Sequence, residues 1–168
     1  MRVVLALTLV LGACSNANNP DVDAAVRPID ADADTGSAPA ARILVINEVA
    51  PGETPDWFEV VNVTSSAVDL SQFVFCDVAN DFVKAKPFGA VVLGPGEYHA
   101  QDVDDTVAGF KLASDEELWI YRAADQALSD SVDWAEGAGP AGSSYARSPD
   151  TTGDFATSAT PSKGTANP

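Results

Sequence analysis

Residues 43–63 read Ile43-Leu44-Val45-Ile46-Asn47-Glu48-Val49-Ala50-Pro51-Gly52-Glu53-Thr54-Pro55-Asp56-Trp57-Phe58-Glu59-Val60-Val61-Asn62-Val63. Two short runs rich in β-branched and aromatic residues flank a Pro-Gly turn, which is the composition of a pair of strands rather than of a helix. The same texture continues outward. VDLSQFVFC, AVVL, EYHA, ELWIYRA and DSVDW are separated by Thr64-Ser65-Ser66, Gly94-Pro95-Gly96, Ala124-Asp125 and a loop from Gly137 to Gly142. No window long enough for a helix keeps a three-four apolar period free of glycine or proline. About seven short strands at this spacing predict an all-β fold of sandwich or barrel type.

Alternation within the runs predicts which side chains meet in the core. Phe58 and Val60 share a face, as do Phe73 with Phe75, Leu118 with Ile120, and Val132 with Trp134. With Leu44, Ile46, Leu70 and Leu93 they are the expected core, because successive strand residues point to opposite faces. Trp57, Glu59 and Val61 then face away from it, as do Trp119 and Tyr121. Large aromatics on a non-core face mark either a docking patch or a surface covered by loops and the C-terminal tail. Trp57, Trp119 and Tyr121 are the candidate interaction patch.

Upstream of residue 43 the texture is different. Arg2 precedes a mostly apolar run from Val3 to Ala13, interrupted only by Thr8 and far shorter than the about 20 residues of a membrane-spanning helix, and residues 1–13 read as a secretory signal peptide. The run ends Leu11-Gly12-Ala13-Cys14, which resembles the lipobox of bacterial lipoproteins. That resemblance implies cleavage before Cys14, a diacylglycerol on its sulfur and acylation of its new amino group. Two or more acyl chains, each buried methylene contributing about 0.8 kcal/mol, hold a protein on a membrane. Ser15, where inner-membrane retention would favour aspartate, implies the outer membrane, so the expected location is the cell envelope. Residues 14–42 hold Asp, Ala and Pro but no aromatic residue. Such a stretch buries too little surface to offset its ordering entropy, and reads as a disordered tether spanning roughly 30 Å.

The chain carries a formal charge of −16, and residues 43–168 hold 20 of the 25 acidic residues. So acidic a surface repels phosphate backbones, which excludes nucleic acid as a partner. Once Cys14 is lipidated only Cys76 remains, so no intramolecular disulfide is available, and its apolar neighbours predict a buried, inert thiol. Asn62-Val63-Thr64 matches a glycosylation acceptor, but the bacterial address makes the match accidental. Asp30-Ala31-Asp32-Ala33-Asp34 has the start of a calcium loop but Thr35 and Ala41 at its glycine and glutamate positions. Asp102-Val103-Asp104-Asp105 is at most a loose surface ion site.

The ordered motifs of residues 43–168 resemble the lamin tail domain. They are Ile46-Asn47-Glu48-Val49, Asp56-Trp57-Phe58-Glu59-Val60-Val61-Asn62 and Val68-Asp69-Leu70-Ser71-Gln72-Phe73-Val74-Phe75. Val92-Leu93-Gly94-Pro95-Gly96-Glu97-Tyr98, Gly109-Phe110-Lys111-Leu112 and Leu118-Trp119-Ile120-Tyr121 follow. The ending Ser144-Tyr145-Ala146-Arg147-Ser148-Pro149-Asp150, with Gly153-Asp154-Phe155 and Ala166-Asn167, fits the same pattern. Gln72, Phe73 and Asp115-Glu116-Glu117 depart from it. The resemblance implies an immunoglobulin-like β-sandwich over 43–168, with no catalytic residue to carry over. It places Glu48, Glu59 and Arg147 at recurrent positions, read as strand-end hydrogen bonds and an Arg–carboxylate pair.

His99 is the sole histidine, and no G-x-S-x-G, H-E-x-x-H or phosphate-cradling glycine motif occurs. No cofactor motif is found. The expected function is that of a non-catalytic, membrane-anchored envelope module binding a protein or glycan. The alternatives are a passive envelope component, a calcium-binding module, or an accessory domain of a hydrolase.

Overall fold

The computed structural model describes residues 42–104 and 111–168. The expected signal peptide 1–13, the lipidation site Cys14, the tether up to residue 41, and Asp105, Gly109 and Phe110 lie outside the described residues.

The described residues are all-β. Eleven strands run in the order β1 (Leu44–Ala50), β2 (Asp56–Asn62), β3 (Val68–Asp69), β4 (Phe73–Cys76), β5 (Lys86–Pro87), β6 (Val92–Leu93), β7 (Tyr98–Val103), β8 (Glu116–Arg122), β9 (Leu128–Trp134), β10 (Ser144–Ser148) and β11 (Asp154–Ser158). The expectation of about seven counted the long runs. The excess comes from β5, β10 and β11, which lie outside those runs, and from the run VDLSQFVFC, which divides into β3 and β4. One sheet has the order β11-β10-β1-β2-β7, a second β5-β4-β8-β9, and β3 pairs with β6 as a ribbon. Every pairing is antiparallel.

The two larger sheets face each other across one core in a sandwich-like arrangement. Leu44, Ile46, Phe58 and Val60 from one sheet meet Phe73, Phe75, Leu118, Ile120, Val132 and Trp134 from the other, with Leu70 and Leu93 from the connections. All twelve residues expected inside are there, together with Val49, Phe88, Val103 and Leu112. Phe58, Phe75 and Phe88 form an edge-to-face trio, with ring centroids 5.0 Å apart for Phe58–Phe75 and 4.9 Å for Phe75–Phe88. Such pairs add about 0.5–1.5 kcal/mol each beyond the area they bury. At one margin β1 approaches β9. The Leu44 amide donates to Ser129 Oγ at 2.9 Å and the Ile46 amide to Asp130 Oδ2 at 2.9 Å, so side chains of one sheet satisfy the backbone of the other.

A bulge in β1 sets the chemistry of the opposite face. Ile46 pairs with Val60 but Glu48 pairs with Glu59, with a register shift between them. Strict alternation would aim Glu48 into the core beside Ile46. The extra residue, Asn47, turns Glu48 outward and returns Val49 to the core.

Candidate functional site

The outer face of the five-stranded sheet carries a buried polar cluster. Glu48 and Glu59 stand directly opposite each other on β1 and β2, both fully buried. Asn47 Nδ2 donates to Glu59 Oε1 at 3.1 Å and to Asp150 Oδ1 at 3.0 Å, while its Oδ1 accepts the Thr151 amide at 2.9 Å. Tyr98 Oη donates to Asp150 Oδ2 at 2.6 Å. The tight turn between β10 and β11 presents Asp150. A Cβ on Gly153 would come within 2.0 Å of the Ser148 carbonyl carbon, so the turn has room for glycine alone.

The lid over this cluster is the chain's own C-terminal segment, residues 159–168. The Ser162 amide donates to Glu48 Oε1 at 3.1 Å and its hydroxyl to Oε2 at 2.8 Å. The Gly164 amide donates to Glu59 Oε2 at 2.5 Å and the Asn167 amide to Asp150 Oδ1 at 2.8 Å. Asn167 Nδ2 reaches the carbonyls of Asn47 and Arg147 at 3.1 and 2.9 Å. Three carboxylates thus supply acceptors to a segment that has no strand to pair with, as buried backbone donors require. Burial pushes the Glu59 carboxyl up to about 7, against the hydrogen bonds from Asn47 and Gly164, and the charges of Glu48 and Asp150 push the same way. Burial and the bond to Asp150 push Tyr98 up to about 12.

Trp57 lies on this face, 3% exposed, and Lys163 covers it. The Lys163 ammonium sits 5.4 Å from the indole centroid and pairs with Asp102, the direct cross-strand neighbour of Trp57. Asp102, one of the residues considered as a loose ion site, is therefore paired with a lysine.

Trp119 and Tyr121 project from the outer face of the other sheet, on β8, so Trp57 shares no surface with them. The three aromatics expected to form one patch are divided between the two outer faces. The Trp119 and Tyr121 rings stack 6.3 Å apart at 9°. Tyr121 is buried beneath Phe82, whose ring centroid is 4.9 Å away, and its hydroxyl accepts the Asn80 amide at 3.1 Å. Trp119 is half-buried, and its indole N–H meets no acceptor.

The remaining candidates have structural surroundings. Arg147 donates from Nε to the Ile46 carbonyl at 2.8 Å, from Nη1 to Gly153 O at 3.0 Å and from Nη2 to Asp130 Oδ2 at 3.0 Å, and its guanidinium lies 4.4 Å from the Phe155 ring centroid. It ties β10 to both sheets. Asn62 is fully buried, its amide nitrogen shared among the carbonyls of Ser66, Leu93 and Gly94, so its acceptor motif is a turn anchor. Cys76 is buried, its Sγ 3.1 Å from the Val78 carbonyl, and burial pushes its thiol pKa up. A raised thiol pKa lowers the reactive thiolate fraction. His99, half-buried on β7, packs its ring 6.3 Å from Phe88. Among the described residues no group of three His, Cys, Asp or Glu side chains is placed to hold a metal ion.

Asp130, Asp150, Tyr98 and Asn47 were not singled out in the sequence for these roles. The trace they leave there is the interrupted alternation Ile46-Asn47-Glu48-Val49, the mark of a bulge that a strand-by-strand reading passes over.

Comparison with protein-family models, curated proteins and solved structures finds no match to this chain.

Proposed function

We propose that this chain is a lipid-anchored envelope protein whose all-β domain is a lamin-tail, immunoglobulin-like sandwich acting as a non-catalytic binding module for a protein partner. The lipobox-like Leu11-Gly12-Ala13-Cys14 supports the anchor. The family reading is supported by the ordered motifs and by the use made of Glu48, Glu59 and Arg147, which hold backbone and turns together. The observation that carries the binding role is the contrast between the outer faces. The chain's own tail covers Trp57, while Trp119 stays half-buried with an indole N–H that has no acceptor. A partly exposed aromatic on a sheet face is the kind of anchor that a protein partner buries, while the indole N–H itself lies inside the domain, out of a partner's reach.

The test is crosslinking capture from native envelope with the lipidated protein, comparing wild type with Trp119→Ala. The expected result is a crosslinked partner lost in the variant while the melting temperature stays within a few degrees. Equal capture by both, or none by either, contradicts the binding role; in the second case a passive envelope component remains. Release of Cys14→Ser protein into the soluble fraction tests the anchor separately, and persistence on the membrane contradicts it.

A further inference from the structure

The outer face of the four-stranded sheet combines an indole with carboxylates, and the other sheet displays what such a combination holds in this molecule. On β2 and β7, Trp57 and Asp102 are direct cross-strand partners, and together they hold the ammonium of Lys163. On β8 and β9, Glu117 and Asp133 are direct cross-strand partners one step along the same face from Trp119, which pairs with Ser131. Like charges placed directly opposite are unfavourable in a sheet, and the pair gains from a cation between them. An ammonium over the Trp119 ring lies within reach of that diagonal pair.

None of the strand residues on this face is basic. It consists of Val74 and Cys76 on β4, Pro87 on β5, Glu117, Trp119 and Tyr121 on β8, and Leu128, Ser131 and Asp133 on β9. Asp133 and Leu128 are exposed, and Glu117 spends one oxygen on the Ala79 amide at 3.0 Å. With a formal charge of −16 on the whole chain, a basic partner is also the one attracted over long range.

We infer that this face docks an extended basic segment of a partner protein, with a lysine side chain laid along Trp119 and its ammonium between Glu117 and Asp133. The inference rests on the binding role proposed above and names the chemistry of the partner. Lys163 on Trp57 and Asp102 is the internal precedent for each contact.

The experiment uses the full-length protein in detergent micelles and a fluorescein-labelled octapeptide alternating lysine and threonine, read by anisotropy at physiological salt. Trp119→Ala and Asp133→Asn are expected to weaken binding at least fivefold each. Asp154→Asn, which changes the net charge equally but lies on exposed β11 of the other sheet, is expected to stay within twofold. Asp133 is exposed, so Asp133→Asn keeps the test meaningful even if Trp119→Ala unfolds. Failure of the wild type to bind the peptide overturns the inference, as does equal weakening by Asp133→Asn and Asp154→Asn. Repeating the envelope capture with Asp133→Asn separates the two readings. A partner captured as well as by wild type leaves the binding role of Trp119 standing and removes the Glu117–Asp133 pair as its cation site; no partner captured by wild type removes the role and this inference with it.

Discussion

Glutamine in place of Glu59 (E59Q) alters how the stability of the domain depends on pH. Glu59 is fully buried, faces Glu48 across the β1–β2 ladder and accepts hydrogen bonds from Asn47 and Gly164. Its carboxyl is pushed up to about 7 from an ordinary value of 4.5, first by burial and then by the charges of Glu48 and Asp150. Between those two values the folded protein keeps a proton that the unfolded chain has released. Stability therefore falls as pH rises through this window, and the loss is complete above about 7. At about 1.4 kcal/mol per pH unit the group removes about 3 kcal/mol between pH 4.5 and pH 8. E59Q has no proton to hold, so this slope disappears. The amide must also place its own N–H₂ where Asn47 or Gly164 already donates, which gives the variant a constant penalty of about 1–3 kcal/mol. Asp56 and Glu116, also raised by burial, titrate in both proteins and cancel in the difference. The assay is urea unfolding at pH 5, 6, 7 and 8. Wild type is expected to be the more stable at pH 5, and its advantage to shrink or reverse by pH 8 through a change of about 2.5 kcal/mol. Parallel stability curves for the two proteins would refute the reasoning, because they would mean that Glu59 is ionised in the fold as easily as out of it.

Asp130→Ala leaves the Arg147 guanidinium and the Ile46 amide buried without their acceptor, and is expected to cost about 3–5 kcal/mol in chemical unfolding. Asn62→Ala removes the donor shared by the Ser66, Leu93 and Gly94 carbonyls and the acceptor of the Thr64 amide, and is expected to lower stability by about 2–3 kcal/mol, read as a fall in melting temperature. Deleting residues 162–168 removes Lys163 and the donors to Glu48, Glu59 and Asp150; Trp57 is then expected to become accessible to acrylamide, with red-shifted emission. Phe75→Ala opens a cavity in the aromatic trio and is expected to cost about 3–5 kcal/mol.

The core was legible in the sequence because it follows a single rule. Phe58, Val60, Phe73, Phe75, Leu118 and Ile120 alternate with other residues over strands long enough to show period two, and all six lie in the core. The rule failed at Asn47-Glu48, where one inserted residue reverses the parity of β1. That reversal puts a second carboxylate opposite Glu59, and the polar cluster depends on it. Asp150 and Asn167 are separated from Asn47 by about a hundred residues or more and meet it only after β10 docks on β1, so no local pattern reports their contact. The two-residue β5 is equally silent, since two residues cannot display alternation, and β10 and β11, rich in Ser, Ala and Thr, carry too few large apolar side chains to show it.

The three candidate aromatics do not form one surface, and the reason is topological. Trp57 on β2 and Trp119 on β8 have the same parity relative to the core, so sequence pattern treats them alike, yet the sheets that carry them back onto each other. What distinguishes them is a lysine. Lys163 arrives from the far end of the chain, neutralises Asp102 and covers the Trp57 ring, whereas the strand residues around Trp119 bring two carboxylates and no cation. The chain thus supplies a cation on one face and, among the described strand residues, none on the other. Transplanting the arrangement tests that asymmetry: Ser131→Lys puts an ammonium directly opposite Trp119. It is expected to raise the melting temperature by relieving the Glu117–Asp133 repulsion, and to abolish binding of the lysine–threonine peptide. A variant that still binds the peptide would mean that the cation is not read at Trp119.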